Sequence, residues 1–151
     1  MDWYPYALFA HVGAAIVGVG ANLTYLLWLR LAGRDRTRLT FAISGIRYLD
    51  RRLGMPSYAV LFVSGMALGL SGRWSFRGLW LMVGITLFIG LTYVGIVVLA
   101  PAIRRLLAAA EADPRGDAYA REARFARLLF LISAGLMVAI VALMVFKPLM
   151  A

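Results

Sequence analysis

The chain contains no cysteine, a single histidine, a single lysine and only seven acidic residues in 151. Without thiols there is no disulfide, no thiolate metal ligand and no cysteine nucleophile. The lone histidine is His11. Zinc and similar sites need several His, Cys or carboxylate ligands, so a lone histidine argues against such a site. No phosphate-binding glycine loop, nucleophile–base pair or carboxylate dyad occurs. All seven acidic residues fall outside the apolar runs, which weighs against a proton pump or a cation transporter.

What fills the chain is apolar. Hydrophobic residues make up 63% of it, far above a soluble domain of this size. The pattern predicts an all-α integral membrane four-helix bundle in one domain, 1–151, with spans at about 6–31, 56–70, 79–100 and 128–146. Pro56 suits the first turn of the second span, which is close to the lower length limit for crossing a bilayer.

The formal net charge is +9, carried almost wholly by arginine. Such a balance in a soluble protein would suggest nucleic acid, but here the arginines sit in two loops. Arg30, Arg34, Arg36, Arg38, Arg47, Arg51 and Arg52 follow the first span. Arg104, Arg105, Arg115, Arg121, Arg124 and Arg127 follow the third. Loops rich in Lys and Arg stay in the cytoplasm. The expected location is therefore a bacterial inner membrane, with both termini outside, lipid as the partner and no nucleic acid. Trp3, Tyr4, Trp74 and Trp80 suit an outer aromatic belt, and Trp28, Tyr48 and Tyr58 an inner one.

Both arginine loops read as helical extensions. In "DRTRLTFAISGIRYLDRRLG", Leu39, Ile43, Ile46, Leu49 and Leu53 fall at helical spacing, with Asp35 as a start cap and Gly54 as an end cap. This amphipathic helix either lies on the inner membrane surface or packs on the cytoplasmic end of the bundle. "PAIRRLLAAAEA" continues the third span, "DPRGD" turns, and Asp117 is expected to cap the helix that becomes the fourth span. Pro101 is expected to kink the third.

The first span carries one distinctive face. His11, Ala15, Gly18, Asn22 and Tyr25 recur at steps of four, three, four and three, along one side of a helix. Polar groups in a membrane helix face protein or a cavity, because lipid supplies no hydrogen bonds. Small residues there admit a second helix or a flat cofactor. His11 is either an axial haem ligand or an interfacial side chain bonded to a carbonyl or headgroup. Haem needs only one or two protein ligands, which a chain with a single histidine can meet. Met66 is the best of the methionines for a second ligand. Gly65 and Gly69 allow close helix contact. Thr86, Gly90 and Tyr93 share a face that could line a cavity, although such faces more often make helix contacts.

A histidine early in the first span, "RRLGMPSYAVLFVSGMALGL", "RWSFRGLW" and "APAIRRL" together resemble the bacterial membrane proteins of domain of unknown function 2269, over nearly the whole chain. The plan is also similar to that of the HemJ-type protoporphyrinogen oxidases and the copper-resistance D proteins. In the HemJ type a first-helix histidine is implicated in binding haem b, and His11 is the matching position. That type also relies on a lysine at the start of its third helix, where this chain offers Arg77. A guanidinium does not release its proton, so the likeness does not carry over protoporphyrinogen oxidation.

The leading expectation is a haem-b-binding redox protein with His11 on the iron. The ring would lie against Ala15 and Gly18, with Arg73 or Arg77 on its propionates and a quinone or porphyrin as redox partner. The main rival is a cofactor-free accessory subunit that docks a larger complex or a second copy of itself. The third reading is a solute transporter with a wet path along Asn22, Thr86, Thr92 and Tyr93.

Overall fold

Two prolines decide how the long helices are built. Pro56 and Pro101 lack an amide hydrogen, and each ring crowds the carbonyl four residues back. In the computed structural model, which describes residues 2–71 and 78–147, both are carried by a π-helical turn just upstream. The turn Asp50–Gly54 joins α2 (Arg36–Leu49) to α3 (Met55–Leu70). The turn Val94–Leu99 joins α4 (Leu79–Tyr93) to α5 (Ala100–Ala112). In the first, the Met55 N–H reaches back five residues to the Asp50 carbonyl. In the second, the Ala100 N–H reaches the Gly95 carbonyl in the same way. The extra residue in the turn lets the helix pass through proline.

The chain thus folds into four long helices, each apolar enough to cross a membrane. They are α1 (Tyr4–Ala32), α2–α3 (Arg36–Leu70), α4–α5 (Leu79–Ala112) and α6 (Asp117–Phe146). No strand occurs among the described residues. Four crossings return the chain to the side on which it began. Gly54 does not end a helix, as the sequence suggested. Its backbone is right-handed helical and the turn runs straight through it. Upstream of Pro101, where a kink was expected, the helix carries the second π-helical turn.

The connections on the Arg-rich side are short and capped. Gly33 closes α1 at φ 63°, a conformation that costs glycine little. Asp35 caps α2 as expected, its carboxylate accepting from the Arg38 N–H at 2.8 Å. Between α5 and α6, Asp113 accepts from the Arg115 N–H at 2.9 Å. Asp117 is the first residue of α6 and not its cap, because Gly116 holds that position and Asp117 makes no capping bond. Arg105 and Glu122 pair across the α5–α6 hairpin at 3.3 Å.

The apolar core lies at this same end. Leu39, Ala42, Ile43 and Ile46 of α2 are buried against Ala102, Ile103, Leu106 and Ala110 of α5, and against Ala126, Leu129 and Phe130 of α6. Of the two placements open to the amphipathic helix, the structure shows the one packed on the bundle. Its outer face leaves Phe41 and Tyr48 exposed, with the Arg52 guanidinium 5.8 Å above the Tyr48 ring. Higher up, Ile16, Leu27, Val63 and Val145 point away from the protein, as side chains that face hydrocarbon do.

Phe130 is central to that core and meets Tyr25 edge to face, with centroids 5.6 Å apart. Phe130→Ala is expected to cost about 3 kcal/mol or more. Leu131→Ala, at the exposed neighbouring position, is expected to cost under about 0.5 kcal/mol. Reversible unfolding in mixed micelles measures both.

Candidate functional site

The most extensive helix–helix contact is between α1 and α3, and its face carries polar groups. The contacts form a ladder with a rung every seven residues on each strand of the antiparallel pair. His11 meets Ser64, Gly18 meets Ser57, and Tyr25 meets Asp50. The face seen in the sequence of α1 is therefore answered by a matching one on α3 and the turn below it.

The first rung fixes the histidine. His11 Nδ1 lies 3.0 Å from Ser64 Oγ, and Ser64 Oγ lies 2.5 Å from the Val60 carbonyl. A hydroxyl has one proton. If it is given to Val60, the oxygen can only accept from the ring. Nδ1 then carries the hydrogen and Nε2 keeps its lone pair. His11 stacks on Gly65, where an added Cβ would stand 3.1 Å from ring carbon Cε1. Glycine leaves room here for the imidazole to approach the helix closely.

At the second rung, Gly18 is buried with Ser57 and Tyr58 against it; a Cβ there would be 3.4 Å from that of Ser57. The helices touch at this point, and no slot for a flat ring lies between them. Ala15 is half-buried.

The third rung opens into a small cavity. Asn22, Asp50, Met55, Tyr58, Leu91, Thr92, Gly95, Leu99 and Ser133 line it. Asn22 is 5% exposed and Ser133 1%, yet Asn22 Oδ1 and Ser133 Oγ have no hydrogen-bond partner. The Tyr25 hydroxyl lies beside the Asp50 carboxylate, and both sit over Gly54, where a Cβ would stand 2.9 Å from Asp50 Oδ1 and 3.7 Å from the Tyr25 hydroxyl.

The remaining expected residues scatter. Met66 is 39% exposed on α3. Arg73, Trp74 and Arg77 lie outside the described residues. Of the path imagined for a transported solute, Asn22 and Thr92 share the cavity. Tyr93, at 61% exposure, Thr86 and Gly90 face outward instead. Thr86 and Thr92 tolerate this environment because each hydroxyl donates to a carbonyl of its own helix, Met82 and Phe88. No group of three or more His, Cys, Asp or Glu that could hold a metal occurs among the described residues.

Sequence reasoning missed Ser64, Ser133 and Asp50. Serine is too common on membrane helices to stand out. Asp50 lies outside the apolar run that defines the second span, but the unbroken helix carries it up against the bundle interior. Its seven-residue spacing to Ser57 and Ser64 was the signal available.

These features define a multi-pass integral membrane protein of four helices. Residues 5–148 match the family described as "Predicted integral membrane protein (DUF2269)", and the chain belongs to that family. No curated protein and no solved structure gives a significant match.

The first rung can be weighed by a double-mutant cycle over His11→Ala and Ser64→Ala. A coupling of about 1 kcal/mol is expected for a buried hydrogen bond. Gly65→Val, which drives carbon into the ring, is expected to destabilise by about 1–3 kcal/mol.

Proposed function

We propose that this protein is a haem-b-binding redox protein of the bacterial inner membrane, with His11 as an axial ligand. One observation carries the reading: His11 Nδ1 lies 3.0 Å from a Ser64 hydroxyl that is itself bonded to the Val60 carbonyl, an arrangement in which Nδ1 donates and Nε2 is the basic nitrogen. Ligating histidines are set up in this way, with the far N–H given to a fixed acceptor. The donor chemistry fits a haem iron. The interior packing does not fit a porphyrin between α1 and α3, since Ser57 and Tyr58 fill the space beside Gly18. On this reading the half-buried His11 would take the ring from the flank of the α1–α3 contact and not from between the two helices.

A bound haem supplies one-electron chemistry, with a membrane-soluble quinone or porphyrin as the exchange partner. Ser64 is a positioning residue. It sets the tautomer and keeps the ring from turning. Met66, on the exposed flank of α3, is the nearest sulfur in sequence to the rung and the proposed second ligand, and Arg77 the proposed partner of a propionate. A flank site also suits a second copy of the chain or a larger complex, which would cover it.

The rival reading, a cofactor-free accessory subunit, draws on the same rung: Ser64 already satisfies His11 on one side. The visible spectrum of protein purified from haem-replete cells decides between them. A Soret band that is lost in His11→Ala and weakened or shifted in Ser64→Ala, with helicity unchanged, is expected. A colourless preparation would leave the accessory reading.

The distribution of arginine supports an orientation with both ends outside the cytoplasm. Because the chain has no native cysteine, a single Pro114→Cys in the α5–α6 turn reports on it cleanly. Membrane-impermeant thiol reagents are expected to label it in inverted vesicles and not in intact cells.

A further inference from the structure

The cavity at the third rung has no part in haem binding, and its chemistry is specific. Two polar atoms in it are fully enclosed and unpartnered, Asn22 Oδ1 from α1 and Ser133 Oγ from α6. An enclosed, unsatisfied acceptor costs about 1–3 kcal/mol, so something ordinarily occupies the space between such atoms. The room available to the centre of a guest is about 10 Å³. That is close to the minimum for a single water and too little for any organic solute.

The third polar group at the cavity is a carboxyl, that of Asp50. Among the described residues no cation stands within ion-pair distance of it, although the protein carries sixteen basic side chains. The groups that face it are Tyr25 from α1 and Tyr58 from α3, with Arg51 beside it on its own turn acting at longer range. From α4 with its π-helical turn come Thr92 and Gly95, and from α6 Ser133, none of which titrates. An ionised carboxylate set against an apolar interior without a counter-charge is costly. A metal cation could relieve that cost, but the arginine-rich surroundings oppose one. A proton relieves it without adding net charge.

We propose that Asp50, Asn22 and Ser133 form a proton-binding site built around one enclosed water. Asp50 accepts a proton from the aqueous Arg-rich side. The water accepts from the Ser133 hydroxyl and from the protonated Asp50, and donates to Asn22 Oδ1. All three polar groups are then satisfied by one molecule and one proton. Loss of that proton to the aqueous side reverses the polarity of the Asp50 bond: the water then donates to the carboxylate. The Tyr25 hydroxyl donates to Asp50 in both states and holds it at the mouth of the cavity. The site thus takes up and releases a proton just inside the bundle, with no other bond made or broken.

Infrared difference spectroscopy on the full chain in lipid nanodiscs, titrated with pH in H₂O and D₂O, tests this directly. A protonated-carboxyl C=O band that shifts down in D₂O and disappears in Asp50→Asn is expected. The same band is expected to shift in Asn22→Leu and in Ser133→Ala, because each removes a partner of the water. Ser133→Ala deletes one atom and keeps the test alive if Asn22→Leu does not fold. A carboxylate signature for Asp50 at every pH would overturn the proposal. So would a C=O band indifferent to both neighbours, or one that sodium but not choline converts to carboxylate, which would mark a metal-cation site. None of these readouts involves haem.

Discussion

The structure depends on one constraint: a polar side chain placed in hydrocarbon must find its partner within the protein. The α1–α3 contact meets it where His11 bonds Ser64 and again where Tyr25 lies beside Asp50, with the close Gly18–Ser57 approach between them. Two serines and a carboxyl, those of Ser64, Ser57 and Asp50, are spaced seven residues apart along one helical path. A histidine, a glycine and a tyrosine are spaced alike on the other. Helices in lipid gain little from apolar burial against each other, because the surrounding chains are just as apolar. Hydrogen bonds and close backbone approach must therefore specify the pair, and Gly18 and Gly65 supply the approach.

The two ends of this ladder differ in chemistry. The rung near the start of α1 is closed through Ser64 and Val60. The rung at the Arg-rich end is incomplete as protein alone and leaves two enclosed oxygens wanting a guest. A nitrogen lone pair suits a metal, and enclosed oxygens beside a carboxyl suit water and a proton. Along α1 the two sites are eleven residues apart, about 16 Å at the helical rise.

Much of the fold was legible because lipid imposes strong rules. The four apolar runs, the arginine-rich loops and the capping Asp35 follow from hydropathy, charge and local hydrogen bonding. The polar face of α1 was visible for the same reason. What could not be read were choices of backbone register. Glycine before a proline looks like a helix end, but a π-helical turn absorbs Pro56 and uses Gly54 to make room for Asp50. The face of Thr86, Gly90 and Tyr93 looked suited to a cavity, but threonine can satisfy itself on its own helix and so face lipid. Asp50 was set aside with the loops because an apolar window stops short of it, whereas the helix that carries it does not.

The placement of the apolar core has a consequence for how the protein is made. The α1–α3 ladder needs nothing beyond Leu70, so it can zip as soon as the second crossing has left the translocation machinery. The buried cluster of α2, α5 and α6 needs Phe130 and its neighbours, which are synthesised last. Until then the oily side of α2 has no cover but the membrane surface.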